Sequence, residues 1–254
     1  MERFDYIVVG AGSAGCVLAN RLSADGRHRV LLIEAGGGDR HPVVSIPLLA
    51  GVAYFHRPLN WNYVTAPQPG LGGRSLGWPR GRLLGGTSSI NGMMYMRGHA
   101  SDYDRWGLPG WSWAEVLPYF LRSEDAPGRA GSPFHAQGGP LRVTRAQGAN
   151  PLTRAFLDAC AAEGLVANDD FNGADQEGYG LNDFTIRDGR RESSATAFLR
   201  PVQGRPNLTV RTGAQVCRVV IEAGRATALE LAGGARLEAA REIVLCAGTI
   251  GSAQ

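Results

Sequence analysis

The tightest constraint on this chain lies at its N-terminus. There Tyr6-Ile7-Val8-Val9 runs straight into Gly10-Ala11-Gly12-Ser13-Ala14-Gly15, followed by Cys16-Val17-Leu18-Ala19-Asn20-Arg21-Leu22. An apolar run, a glycine turn and apolar residues at helical spacing read as strand, tight turn and helix. Gly10 permits the turn and Gly12 lets the backbone approach a pyrophosphate. Gly15 lets helix and strand pack closely, and the phosphates rest on the helix N-terminus. A second strand is expected at Val30-Leu31-Leu32-Ile33, closed by Glu34. Glu34 stands 19 residues beyond Gly15, where an acid hydrogen-bonds a ribose 2′-hydroxyl and repels the 2′-phosphate of NADP. The glycine spacing alone is a weak signal in a chain with 36 glycines. Strand, helix and acid together make it a dinucleotide-binding unit of the α/β class, without separating NAD from FAD, which share the ADP half.

A length of 254 residues accommodates one or two domains, and 19% charged with 44% hydrophobic residues fits a globular chain. The net charge is only +3 and no block of like charges occurs, so no nucleic-acid partner is expected. Cys16, Cys160, Cys217 and Cys246 form no CxxC pair, and His28, His41, His56, His99 and His135 show no metal-ligand spacing; no metal site is expected. Cys16 and Cys246 read as small core residues, and the compartment as reducing. Tyr6 to Ala19 is too closely explained by the dinucleotide turn to be a secretory leader, with Asp5 interrupting its approach and only Arg3 before it. No run reaches the roughly 18 apolar residues of a spanning helix, so no integral membrane segment is expected and the cytoplasm is the default location.

Between Gly36 and Trp78 the chain reads as loops and extensions. Trp113 to Leu121 regains helical periodicity, with Pro118 expected to bend or break it. Ala126 to Pro140 is rich in Gly and Pro and reads as an exposed connection. Asn150 as N-cap, Pro151 at the first helical position and Gly164 just past the end bracket a helix. The apolar face of that helix is Leu152, Ala155, Phe156 and Ala159. Strands follow at Leu208 to Val210, Val216 to Ile221, Thr227 to Leu231 and Ile243 to Leu245. The unbroken apolar run from Ile243 to Ala247 is expected to be a buried parallel strand feeding a covering helix. Only the start of that helix precedes Gln254, so the chain reads as the N-terminal part of a larger protein.

A second glycine loop lies at Arg80-Gly81-Arg82-Leu83-Leu84-Gly85-Gly86-Thr87-Ser88-Ser89-Ile90-Asn91. Consecutive glycines, three hydroxyls and an arginine suit an anion-binding nest. A chain bound only to NAD has no use for a second phosphate loop, so two such loops favour FAD.

With these residues the chain resembles the glucose-methanol-choline family of FAD-dependent oxidoreductases. Gly81-Arg82, Leu84-Gly85-Gly86-Thr87-Ser88, Ile90-Asn91, Tyr95, Gly98 and Asp104 match its first signature, and Gly248-Thr249-x-x-Ser252 resembles the opening of its second, with Ala253 where Pro is usual. Asn60-Trp61-Asn62-Tyr63, Gly138-Gly139-Pro140-Leu141, Asp170-Phe171-Asn172-Gly173 and Pro206-Asn207-Leu208-Thr209-Val210 are further family-like segments, nearest to the choline-dehydrogenase-like branch.

The resemblance implies an α/β fold, an FAD-binding Rossmann-like domain with part of an α+β substrate domain. Residues 1–35 and 207–254 would form a discontinuous, incomplete FAD-binding domain. Residues 36–149 would be FAD-contacting loops and an extension, with the flavin loop at 79–98, and 150–206 part of the substrate domain. The ADP part of FAD would rest on Gly10, Gly12, Ser13, Ala14, Gly15, Glu34 and Ala35, with adenine near Val216. Arg82, Gly85, Thr87, Asn91, Gly92 and Met93 would meet the pyrophosphate and the flavin edge. Family members with covalent flavin carry histidine in the place of Ile90, so attachment here is expected to be noncovalent.

The implied reaction is oxidation of a primary alcohol by hydride transfer to the flavin, with oxygen or another electron acceptor taking the electrons. The family's base is a histidine of the C-terminal half. No residue here matches it, so no catalytic residue is assigned and the chain alone is expected to be inactive. His99 reads as a surface or structural residue, and His28, His41, His56 and His135 as surface residues. The alternatives are a flavin-binding fragment without turnover, a lyase or fatty-acid photodecarboxylase of the same family, and an NAD-only dehydrogenase.

Overall fold

β1 (Glu2–Val9) occupies the middle of a six-stranded sheet, and its Ile7–Val9 end is apolar on both faces, with Ile7 and Val8 fully buried. Its partners are β2 (Val30–Ile33), β3 (Leu208–Arg211), β4 (Val216–Glu222), β5 (Arg225–Leu231) and β6 (Arg236–Leu245). The order is β3-β2-β1-β6-β5-β4. The first four strands pair in parallel and the last two join antiparallel. This computed structural model describes residues 2–254, which divide into two units, residues 2–92 with Arg191–Gln254, and Met93–Arg190.

The sheet belongs to the first unit. Every residue of β2 is buried, as a parallel strand covered on both faces requires. β6 is longer than the expected Ile243 to Leu245. It begins at Arg236, where Leu237 and Ala239 are buried and alternate with charged residues. The alternating half lies between β5 and the Glu2–Phe4 end of β1, and after a register shift the apolar half pairs with β1 from Glu242 onward. One strand thus carries two hydrophobic patterns, and a search for a single pattern finds only half of it. Phe4, Ile7, Leu31, Leu229 and Leu237 make the core of one sheet face. Helix α1 (Ser13–Leu22) buries Gly15, Cys16 and Ala19.

The stretch expected as loops between Gly36 and Trp78 contains short helices at Pro42–Ser45 and Ala50–Phe55 and a strand pair, Tyr63–Val64 with Gly77–Trp78. Elements of two to six residues are too short to display a period. Val44 and Ala53 of those helices pack with Leu83 and Ile90 in a second cluster that seats the second glycine loop.

In the Met93–Arg190 unit, helix α2 (Trp113–Ser123) runs through Pro118 without ending, so of the expected bend or break the break does not occur. A capping box fixes its start, Glu115 accepting from the Ser112 N–H at 3.1 Å and from its hydroxyl at 2.7 Å. Trp113 and Phe120 flank the proline and pack on Tyr103. Tertiary contact therefore holds the helix despite the lost N–H.

Helix α3 (Pro151–Ala162) has the expected ends, with the Asn150 side chain accepting from the Thr153 N–H at 2.9 Å and Gly164 at φ +75°. Its expected apolar face, however, is not buried. Leu152 is 81% exposed and Phe156 64% exposed, Ala155 and Ala159 are exposed too, and Cys160 is the buried residue. Helical spacing defines a face; it does not supply a partner for it.

His135 is also a correction, being buried rather than on the surface. Its Nδ1 lies 3.1 Å from Glu124 Oε1 and its Nε2 3.0 Å from Asp170 Oδ2, while Glu124 Oε1 accepts from Arg97 Nη2 at 2.9 Å. Carboxylates against both ring nitrogens call for a doubly protonated ring. Burial alone would lower the imidazolium's affinity for its proton, but the hydrogen bond and charge of Glu124, with the charge of Asp170, outweigh it and raise the pKa. Burial likewise opposes ionisation of Glu124, yet His135, the Ala136 N–H and Arg97 hold its pKa below the usual range. The Gly and Pro content of Ala126 to Pro140 marks a bent backbone; it carries no information about a buried ion cluster within it. Among the described residues no helix is long and apolar enough to cross a membrane.

Candidate cofactor site

The N-terminus of α1 has no side-chain cap. Its N-cap is Gly12, so the first-turn N–H groups have no partner within the helix. The three glycines of the turn differ in what surrounds them. A Cβ on Gly10, which sits at φ +96°, would stand 2.6 Å from the Cys246 carbonyl oxygen, and one on Gly15 would overlap the Gly10 carbonyl. A Cβ on Gly12 would meet nothing within 4 Å. Gly10 and Gly15 are required by packing, whereas Gly12 borders free space. Ser13 and Ala14 follow it as exposed residues of the first turn.

Glu34 lies at the end of β2, as expected, and its carboxylate closes the same turn. Oε2 accepts from the Ala11 N–H and Oε1 from the Gly36 N–H, both at 2.9 Å. Burial raises its pKa against the opposing pull of those N–H groups and of the Arg82 charge. The Ala214 N–H donates to the Glu34 carbonyl at 2.9 Å, which sets the start of β4, and with it half-buried Val216, beside Glu34 and half-buried Ala35. Cys16 is a core thiol, pushed up to about 12 by burial.

The second loop lies directly on the first. The Gly85 N–H donates to the Ala11 carbonyl at 2.7 Å, the Leu84 N–H to the Gly37 carbonyl at 3.0 Å, and a Cβ on Gly86 would come within 2.8 Å of Gly12 Cα. Its hydroxyls mostly build the loop and do not offer themselves to an anion. Ser88 Oγ donates to the Gly85 carbonyl at 2.6 Å and Ser89 Oγ to the Leu84 carbonyl at 2.8 Å. Thr87 Oγ1 accepts from the Gly81 N–H at 3.2 Å and keeps a proton to donate. Arg82 places its guanidinium 4.9 Å from the Trp61 ring, and its buried Nε has no hydrogen-bond partner. Gly92 is exposed, and Met93, the first residue of the other unit, is buried at φ +63°.

Arg191, which no spacing or composition singles out, also serves this loop. It is 4% exposed and donates from Nε to the Val44 carbonyl at 2.8 Å and from Nη1 to Asn91 Oδ1 at 2.8 Å and to the Ser88 carbonyl at 3.3 Å. Its Nη2 is buried without a partner. An uncapped helix N-terminus, an open Gly12 and two buried guanidinium nitrogens without acceptors fit a ligand with a diphosphate.

The GMC oxidoreductase family model matches residues 4–254. The chain belongs to the GMC oxidoreductase family. FAD is the cofactor of this family. The chain is 44% identical to an oxygen-dependent choline dehydrogenase of Rhizobium etli, over 98% of this chain and 46% of that protein. Among solved structures it is similar to pyridoxine 4-oxidase from Mesorbium loti, with 42% identity and a TM-score of 0.92 over 98% of this chain and 50% of that one. An FAD-dependent oxidoreductase from Chaetomium thermophilum gives 28% identity and a TM-score of 0.88, over 98% and 46%. The chain thus spans about half the length of the relatives it matches.

Within this GMC chain Ile90 is fully buried beside Val44, Ala53 and Leu83, a hydrocarbon packed into the core. The histidines have structural surroundings. His99 caps the helix Ala100–Asp104, His28 packs edge-on against Tyr6, and His41 and His56 lie 5.3 Å apart.

Proposed function

We propose that this chain holds FAD noncovalently for the oxidation of a primary alcohol, with oxygen or another acceptor taking the electrons. The observation that carries the reading is the direct contact between the two glycine loops, through the Gly85 N–H and the Ala11 carbonyl. One loop alone suits any ADP-containing ligand; two in contact suit a ligand with a pyrophosphate between two large groups. When bound, FAD accepts the hydride. The protein's part is to bind and orient. The N–H groups of Ser13, Ala14 and Gly15 and the clear space at Gly12 receive the pyrophosphate, and Glu34 accepts from the ribose. Thr87, Asn91, Gly92 and Met93 border the flavin. In this reading 1–35 and 207–254 serve as FAD-binding domain, 36–149 as cofactor-contacting extension and 150–206 as part of a substrate domain.

Choline and pyridoxine, named by the relatives, head the panel of alcohols to try. The five histidines have other tasks or stand in the surface, so no base is assigned, and the chain by itself binds flavin without turning over alcohol. The reading keeps the cytoplasm as compartment, in keeping with four free cysteines. The test is purification followed by cofactor extraction and assay with a dye acceptor. FAD retained with no alcohol oxidation above free flavin is the expected result. Retained NAD, or turnover by the chain alone, would contradict it.

A further inference from the structure

The buried charges of the first unit include one whose hydrogen-bond partners among the described residues are all neutral. Arg191 is almost fully enclosed, and its three acceptors, the carbonyls of Val44 and Ser88 and Oδ1 of Asn91, are all uncharged. Burial lowers its pKa to about 10. A guanidinium taken out of water without a counter-charge is a standing cost to the fold, and the partnerless Nη2 adds a donor left without an acceptor. Such an arrangement is stable when an anion arrives to complete it. Two of the three acceptors lie in the second glycine loop, so the charge is coupled to that loop and to no other part of the unit except Val44.

We propose that Arg191 is a positioning residue of the FAD site, whose guanidinium fixes the Asn91 carboxamide and the Ser88 carbonyl from behind and whose missing counter-charge comes with the cofactor. The inference rests on the reading that the loop at 82–92 receives the pyrophosphate and flavin end of FAD. The fork at Arg191 determines which way round the Asn91 amide stands, because its Oδ1 is held by Nη1. A charge-assisted bond to that oxygen also polarises the amide and strengthens its N–H groups as donors. Lysine can supply the charge but not the planar fork; glutamine can supply a donor but not the charge.

That difference makes the proposal testable in the 254-residue chain, with FAD as probe and flavin fluorescence as readout of affinity. Thermal unfolding without FAD, and the potential of the bound flavin, are measured in parallel. The expected order of affinity is wild type, then Arg191→Lys, then Arg191→Gln, with Arg191→Gln weaker than wild type by roughly tenfold or more. Its bound flavin should be reduced at a more negative potential, while the cofactor-free chain unfolds no earlier than wild type. Equal FAD affinity in wild type and Arg191→Gln would overturn the proposal and leave the FAD-site reading intact. Earlier unfolding of cofactor-free Arg191→Gln, with an unchanged flavin potential and no rescue by lysine, would overturn it in favour of a clamp that only stabilises the fold. Failure of the wild-type chain to bind FAD would overturn the site reading, and this inference with it.

Discussion

Both units bury charge, and they treat it in opposite ways. In the Met93–Arg190 unit the buried charges face opposite charges, although Arg97 Nε has no hydrogen-bond partner among the described residues. Arg97 meets Glu124, Glu124 meets His135, His135 meets Asp170, and Arg129 meets Asp183. In the first unit Arg191 has only neutral acceptors, Arg82 keeps a buried Nε without a partner, and the helix behind Gly12 is uncapped. A closed ion cluster is a device for holding loops together, because each desolvated charge is returned a partner. A set of donors left open within a fold is a cost unless a ligand completes it, and here it coincides with two glycine loops in contact. Unpartnered buried donors occur in both units, at Arg97 as well as at Arg82 and Arg191; what sets Arg191 apart is a buried charge with neutral acceptors, beside two glycine loops in contact.

The largest effect that could break this contrast is expected from Glu124. Glu124→Ala leaves Arg97 and His135 buried without their carboxylate and should cost about 3–5 kcal/mol, read by thermal or denaturant unfolding. FAD affinity of the remaining folded chain should not change. Loss of FAD affinity without loss of stability would erase the distinction between the units.

A smaller effect sharpens it through pH. The folded pKa of His135 is raised, so its contribution is complete below the unfolded value of about 6.5 and is lost as pH rises through the folded value. The folded pKa of Glu124 is depressed, so its contribution is present above the unfolded value of about 4.3 and is lost as pH falls through the folded value. Stability should therefore peak between these limits. His135→Gln should flatten the alkaline side of the profile. An unchanged alkaline slope in the variant would refute the buried imidazolium.

The smallest effect is at Asn150, whose side chain caps α3. Asn150→Ala should cost about 1 kcal/mol with no change in FAD binding, and a neutral result in unfolding experiments would remove the cap from the account.

How far the sequence discloses these features depends on how local they are. Strand, turn, helix and Glu34 are legible because a glycine turn with its flanking periodicity is written in consecutive residues. Both glycine loops could be read separately, but their contact could not, since Ala11 and Gly85 are far apart in the chain. The same holds for Arg191 with Asn91 and for His135 with Asp170, pairs that only the folded backbone brings together. Pro118 and the exposed face of α3 show the converse limit. Local rules called for a bend or a break at Pro118 and marked an apolar face on α3; the helix does not break, with Trp113 and Phe120 packed on Tyr103, and Leu152 and Phe156 of that face are exposed.

The central claim, that the contact between the two glycine loops is a diphosphate site for FAD, is tested most directly at Gly12. A Cβ there meets no atom of the protein, so Gly12→Ala should leave the cofactor-free chain as stable as wild type. It should occupy the space a pyrophosphate needs and weaken FAD binding by roughly tenfold or more, a change of about 1.4 kcal/mol or greater. Unaltered FAD affinity in a folded Gly12→Ala chain would contradict the account.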